Sequence, residues 1–388
     1  MSGNGNCETI RRPITVEPVR IERIEIRLLR MPLVEPFETS FGKTDTRIVF
    51  LVALDAGGLR GWGEVAASRR PLYSYETVGT ARHIISSFLA PLVLSSPLTG
   101  LDDLASRLST FKGHNMAKAG IELAFMHLVS LIKGSSISAL IGGTRSRIAV
   151  GVSLGIQHEI DALLERVRRH LDLGYQRIKL KIKPGRDIDV VEEVRRRHPD
   201  ILLSVDANSA YRLSDLDHLK KLDEFGLLMI EQPLDHDDLV DHAELQSKFE
   251  TSICLDESIT GPKRARDALH LGSCRIINIK VGRVGGYSSA LQIHDLCLSR
   301  QTPVWCGGML ESGIGRAHNI ALASLPGFVL PGDTSASSRY FAPDIIKPGV
   351  MVASDGTINV PDKPGLGFEV DLDYIDACTE EIEHLTAP

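Results

Sequence analysis

Arg177-Ile-Lys-Leu-Lys181, Ile201-Leu-Leu-Ser-Val-Asp206, Leu227-Leu-Met-Ile-Glu231, Ser252-Ile-Cys-Leu-Asp256 and Arg275-Ile-Ile-Asn-Ile-Lys280 are apolar runs of strand length, and each ends on an ionisable side chain. The steps from Lys181 to Asp206, Glu231 and Asp256 are 25 residues each, and the step to Lys280 is 24. A repeat of that length holds one strand and one helix, and strands joined through helices pair in parallel. Working outward, Ala149–Leu154 adds one run before these five, and Pro303–Cys306 and Phe328–Leu330 add two after them. Eight candidate strands with amphipathic stretches between most of them predict a closed barrel with covered faces. An open doubly wound sheet would want a glycine-rich phosphate turn after its first strand. The glycine-rich candidate, Gly282-Arg-Val-Gly-Gly286, follows a late strand and does not fit GxGxxG.

Upstream of the barrel the texture is α+β. Ile21–Leu29, Ile48–Leu54 and Gly61–Val65 read as strands, and residues 75–92, 102–108 and 116–132 read as helices. In the last, Ile121, Ala124, Phe125, Leu128 and Leu131 recur with a helical period. Downstream of Tyr340, residues 351–360 and 365–370 look like strands that rejoin the first domain. The expected division is a loose N-terminal extension (1–18), an α+β capping domain (19–145), a barrel (146–345) and a C-terminal segment packing back on the cap (346–388).

The chain has 388 residues, of which 43% are hydrophobic and 24% charged, a composition that fills a large soluble core. A formal net charge of −6 gives no basic field to draw nucleic acid or an anionic membrane. No apolar run reaches the roughly 18 residues of a membrane span, and Met1–Pro18 lacks the apolar centre of a secretory signal. The cysteines at 7, 254, 274, 297, 306 and 378 form no CxxC pair and indicate neither a zinc site nor a disulfide framework. A reducing cytoplasm is the compartment they fit.

The ionisable residues carry the chemistry. In a barrel the C-terminal strand ends build the active site. Equivalent positions on neighbouring strands lie about 5 Å apart, so Asp206, Glu231 and Asp256 converge. Three carboxylates that close repel one another unless a cation neutralises them, and an all-oxygen set suits Mg²⁺ or Mn²⁺. Singly, each acid has an ordinary reading as a helix cap or turn former. Five residues in register, with the signs Lys, acid, acid, acid, Lys, are poorly explained by caps. Lys181 and Lys280 flank the acids, so a bound small carboxylate substrate has an amine on each face. A lysine beside a metal and another cation is expected to have a lowered pKa and to serve as a base. Lys179 is expected to support Lys181 electrostatically, with a solvated role as its alternative. Asn208 follows a ligand on the same side of the chain, Ser153 ends the first barrel strand, and Gly307, Gly308 and Met309 follow strand seven. Each of these is a candidate substrate contact, and each has an ordinary turn or packing alternative.

The Lys179/Lys181 pair, the Asp206/Glu231/Asp256 triad and Lys280 together resemble the enolase superfamily, and within it the muconate-lactonizing-enzyme subgroup. The resemblance runs from about Val19 onward. It implies the α/β class, a (β/α)7β modified TIM barrel with an α+β capping domain, and a lysine base working with Mg²⁺. The mandelate-racemase subgroup would want a histidine after strand seven, where this chain has Trp305-Cys-Gly-Gly-Met309. Dipeptide epimerases carry DxD after strand eight, where this chain has Leu330-Pro-Gly-Asp333-Thr-Ser-Ala-Ser337. Together with Gly61-Trp-Gly-Glu64 and Lys179-Leu-Lys-Ile-Lys-Pro-Gly185, these stretches are similar to the o-succinylbenzoate synthase and N-succinylamino acid racemase family. The resemblance makes Lys181 the base of a dehydration and Lys280 the cation that stabilises an enediolate. In racemisation each lysine would serve one face. It also places Phe37 and Phe41, in Glu35-Pro-Phe-Glu-Thr-Ser-Phe41, on a capping loop that closes over substrate. Synthase and racemase remain open at this point, as do muconate cycloisomerase and a non-catalytic relative. Relatives often form homo-oligomers, and no local feature decides that here.

Overall fold

The computed structural model describes residues 13–387. Seven parallel strands lie side by side in chain order: Val152–Leu154, Arg177–Lys181, Leu202–Asp206, Ile230–Glu231, Ile253–Leu255, Ile276–Ile279 and Val304–Cys306. Their residues are almost all buried, as a sheet covered on both faces requires. Helices cross over between them, among them Ile160–Asp172, Ile188–Arg197, Pro262–Leu271 and Tyr287–Ser299. The third crossover is broken, a short helix at Leu216–Leu219 between two 3₁₀ turns.

The eighth run closes the ring without forming a regular strand. Phe328 bridges in parallel to Val304, and Gly332 bridges in parallel to Val150. The Gly332 N–H donates to the Ala149 carbonyl at 3.1 Å, and the Gly151 N–H donates to the Gly332 carbonyl at 2.7 Å. Pro326 and Pro331 flank this stretch and have no N–H to give to a ladder, which explains why the expected strand at 328–330 is reduced to bridges. A 3₁₀ turn at Ser337–Arg339 follows it where an eighth crossover helix would begin, so among the described residues the barrel has eight strand positions and seven crossovers.

The first domain is a four-stranded antiparallel sheet in the order Thr379–Thr386, Arg23–Thr39, Gly42–Ala56, Leu59–Val65, covered by the helix Asn115–Lys133. The helix and the sheet approach closely at two glycines. A Cβ on Gly61 would lie 2.1 Å from the Ala124 carbonyl oxygen, and one on Gly63 would lie 2.2 Å from that of Gly120. Gly61-Trp-Gly-Glu64 is therefore first a packing motif.

Three expectations shift. The segment 35–41 is the tip of a long hairpin, because the strand begun at Arg23 runs on to Thr39 past an irregularity between Pro32 and Phe37. The tail strands pair elsewhere: Thr357–Asn359 with Arg147–Ala149, and Glu369–Val370 with Ile346–Lys347. The strand that rejoins the cap is Thr379–Thr386, a charged edge strand with Ile382 exposed, which hides its period. Of the expected extension, residues 1–12, with Cys7, lie outside the described residues, while Thr15–Val19 pairs with Leu98–Gly100. Cys254, Cys274, Cys297 and Cys306 are free and buried. Among the described residues no helix is long and apolar enough to cross a membrane.

Two cap acids fasten the domains together. Glu64 accepts from the Ser312 hydroxyl at 2.6 Å and from the Gly315 N–H at 3.1 Å, at the start of the barrel helix Gly313–Ala323. Glu122 accepts from the Ser288 N–H at 2.9 Å and its hydroxyl at 2.6 Å, at the start of Tyr287–Ser299. Helix N-termini favour such acceptors. Burial nevertheless outweighs these bonds and pushes both carboxyls up to about 7.

Two outcomes are expected. Gly63→Ala forces the sheet off the helix and costs about 1–3 kcal/mol or more, read as a lower urea midpoint with the same slope. A carboxyl raised in the folded state stabilises below its unfolded pKa and loses that stabilisation as pH rises through the folded value. From about pH 5 to about pH 8, wild-type Tm therefore falls further than that of Glu122→Gln; parallel curves would show that Glu122 titrates normally.

Candidate active site

Strand register sets the site. Lys181 pairs with Asp206 and Asp206 pairs with Glu231, so these three side chains share one rung at the C-terminal rim. Asp256 follows the paired residue Leu255, and Lys280 follows the paired residue Ile279. Lys179 and Lys181, two apart on one strand, face the same side of the sheet.

The charges interlock. Lys181 Nζ donates to Asp206 Oδ2 and to Asn208 Oδ1, both at 2.6 Å. Lys280 Nζ donates to Asp256 Oδ2 at 2.6 Å and to the Tyr73 hydroxyl at 3.1 Å. Tyr73 in turn donates to Asp256 Oδ1 at 2.9 Å, and Arg283 also contacts that carboxylate. Glu231 takes Lys179 Nζ on Oε2 and Asn278 Nδ2 on Oε1, each at 2.7 Å. Asp206 Oδ1 accepts the Asn208 N–H at 3.0 Å. Asn208 and Gln232, each just past an acid, hold left-handed φ values of 44° and 38°, the kind of local strain that collects at functional sites.

Electrostatics follow from burial and these partners. Burial pushes Asp206 up, but Lys181 and Lys179 pull it down further, to well below the carboxylate range. Burial and the Asp206 charge hold Glu231 up, and the same pair of causes pushes Glu257 up to about 7. Lys280 stands among acids that carry charge. Burial lowers it, but Tyr73 and the facing acids raise it above its ordinary value, because in this cluster acids surround the amine.

One oxygen from each of Asp206, Glu231 and Asp256 lies within 4.8 Å of the others, and all three residues are buried. A convergent, buried, all-oxygen donor set fits a hard divalent cation.

The other predicted residues fall as follows. Ser153, Lys179, Lys181, Lys280, Gly308 and Phe37 line one cavity of about 60 Å³. Asn208, Met309 and Phe41 line an adjoining one of about 110 Å³, which Phe37, Gly308 and both flanking lysines share. Ser153 Oγ is buried and, among the described residues, has no hydrogen-bond partner. Lys179 is not solvated: it sits 2% exposed between Glu231 and Asp333, 4.6 Å from the Trp305 ring centroid. The Met309 N–H, a candidate for the substrate, donates to Glu311 Oε2 at 2.7 Å instead. Gly307 is required by close approach, since a Cβ there would meet Asn278 Oδ1 at 2.4 Å. Phe37 is buried edge-on to Tyr340 with centroids 6.2 Å apart, whereas Phe41 is 36% exposed at the hairpin tip.

Sequence reasoning missed Asn278, Arg283 and Tyr73. A buried asparagine in Ile276-Ile-Asn-Ile279 is a readable signal, because an apolar strand carries an amide only where it has a partner. Arg283 lay in the glycine-rich stretch that was read only for phosphate. Tyr73 arrives from the cap and leaves no local trace.

With this geometry in hand, comparison with known proteins is informative. Residues 23–142 match the family described as the mandelate racemase / muconate lactonizing enzyme N-terminal domain, and residues 162–374 match the enolase C-terminal domain-like family. The chain is 52% identical over 372 residues to an o-succinylbenzoate synthase of Geobacillus stearothermophilus, covering 95% of this chain and 99% of that one. It is 47% identical over 361 residues to an N-succinylamino acid racemase of Thermus thermophilus, covering 93% and 98%. The solved structure of an enolase-superfamily member from Listeria innocua superposes with a TM-score of 0.92 at 42% identity, covering 95% and 99%. Matched in both domains, and carrying its lysines and acids on the rim of the barrel, the chain belongs to the mandelate racemase / muconate lactonizing enzyme family of the enolase superfamily.

Proposed function

We propose that this protein is an o-succinylbenzoate synthase, dehydrating a cyclohexadiene dicarboxylate in menaquinone synthesis. The observation that carries the reading is Lys181 and Lys280 lining one cavity beside three buried, convergent acids. Relatives at 47–52% identity that bear the synthase name support it.

Lys181 Nζ, held by Asp206 and Asn208, takes the proton from the carbon next to the substrate carboxylate. The electron pair of that C–H bond moves into the carboxylate and makes an enediolate. Lys280, kept cationic by Asp256 and Tyr73, places its charge against the growing negative charge. The proton then on Lys181 passes to the leaving hydroxyl, the C–O bond breaks and water departs. A divalent cation, Mg²⁺ or Mn²⁺, held by Asp206, Glu231 and Asp256 would supply further charge to stabilise the enediolate. Phe37, packed on Tyr340, shields the cavity from water.

N-succinylamino acid racemisation is a second reading, favoured by an amine on each side of the acids and by racemases at 46–47% identity. Lys181 and Lys280 would then exchange the giving and taking of one α-proton.

Ultraviolet absorbance of the cyclohexadiene precursor tests the first reading. Rapid loss with Mg²⁺, stopped by chelator, is expected; a precursor left intact by the metal-loaded protein shifts the assignment to racemisation. Lys181→Ala is expected to slow dehydration about a hundredfold to ten-thousandfold; a variant with wild-type turnover would refute the base. Asp206→Asn and Glu231→Gln are expected to weaken Mg²⁺ binding in calorimetry, and unchanged affinity would remove them from the ligand set.

A further inference from the structure

Beside the cavity that holds Lys181 and Lys280 sits a buried cation with no ion pair among the described residues. Arg47, on the strand Gly42–Ala56, is 6% exposed. Its Nη1 donates to Ser68 Oγ at 3.0 Å and its Nη2 to the Ala66 carbonyl at 3.1 Å, while its Nε has no partner among the described residues. The acids whose fields reach it are Glu64 and Glu311. Both are engaged elsewhere, Glu64 on Ser312 and Gly315, Glu311 on the Met309 N–H and Asn319 Nδ2. A buried charge without a partner is costly, and a guanidinium is shaped to take a carboxylate.

Arg47 faces two cavities. It lines the one of about 110 Å³ that also holds Lys181 and Lys280. It also lines an outer one of about 250 Å³, between the hairpin turn and the loop 68–73. The outer cavity carries Arg30, Lys43, Arg69 and Arg70 against one acid, Asp45. Arg30 lies 3.7 Å from Glu380, while Lys43, Arg69 and Arg70 make no ion pair among the described residues. Arg70 reaches the turn itself, where a Cβ on Gly42 would lie 3.8 Å from its Nη2. In a chain of net charge −6, this is a local concentration of cations at a cavity wall.

We propose that Arg47, with the basic cavity outside it, is an anion subsite for a second carboxylate of the substrate, one carried away from the reacting carbon. The reacting end lies among the lysines and acids, and the second carboxylate meets the guanidinium of Arg47 where it lines the cavity. Two parts of a substrate supply such a group: the succinyl tail, or the acidic side chain of an N-acylamino acid. The proposal rests on the proton-abstraction reading.

The test is metal-dependent exchange of the α-proton in deuterium oxide. Two substrate pairs are used, N-succinylalanine with N-acetylalanine and N-acetylglutamate with N-acetylglutamine. In Arg47→Met, the ratio of kcat/KM between the charged and neutral members of one pair is expected to fall about tenfold or more. The first pair identifies the tail, the second the side chain. Arg47→Lys is expected to restore part of the ratio. Arg69→Gln with Arg70→Gln, an exposed double variant that leaves the core intact, is expected to lower the same ratio to a smaller degree. Unchanged ratios in both pairs would overturn the subsite, whatever happens to the absolute rates. A wild-type protein that neither exchanges any of the four nor dehydrates the cyclohexadiene precursor would overturn the reading of the reaction, and the subsite with it.

Discussion

Five carboxylates are buried together at the rim of the barrel, and the structure is arranged around keeping them there. Asp206, Glu231, Asp256, Glu257 and Asp333 are each 8% exposed or less. Arg177, Lys179, Lys181, Lys280 and Arg283 stand against them. Buried charge is tolerable only when it is paired and hydrogen-bonded, and every acid here has a cationic or amide partner. The pairing demands register. A slip of one residue between neighbouring strands would turn a lysine or an acid into the helical layer. Function and barrel geometry therefore constrain the same side chains.

The cap is part of that arrangement. Tyr73 brings a hydroxyl to Lys280 and Asp256 from a loop of the first domain. Glu64 and Glu122 reach the other way, onto the N-termini of two barrel helices. At the hairpin tip, Glu35 lies 2.8 Å from Arg166 and 3.3 Å from Arg169 on the first barrel helix, and Ser40 donates to the Asn208 carbonyl at 3.3 Å. The hairpin tip is thus fastened to the barrel beside the residue that accepts from Lys181.

The barrel was legible because its strands are short, apolar and evenly spaced, and because each candidate site residue stands where a strand ends. Lys181, Asp206, Glu231, Asp256 and Lys280 converge as the spacing predicts. What sequence could not supply is contact between distant segments. Arg47 reads as the polar start of an apolar strand, and only its burial without an acid marks it out. The eighth strand was overread, since proline removes donors from a run that otherwise looks apolar. Thr379–Thr386 was underread, since an edge strand carries charge where an inner strand carries valine.

That last strand has a consequence for how the chain comes to be folded. Arg23–Leu29 is made before the barrel, and its partner Thr379–Thr386 after it. During synthesis the emerging cap sheet therefore exposes one edge of unpaired N–H and C=O groups until nearly the whole barrel has left the ribosome. Such an edge invites pairing with other chains, and long-range closure is slow. Any truncation that removes Thr379–Thr386 leaves that edge of Arg23–Leu29 open.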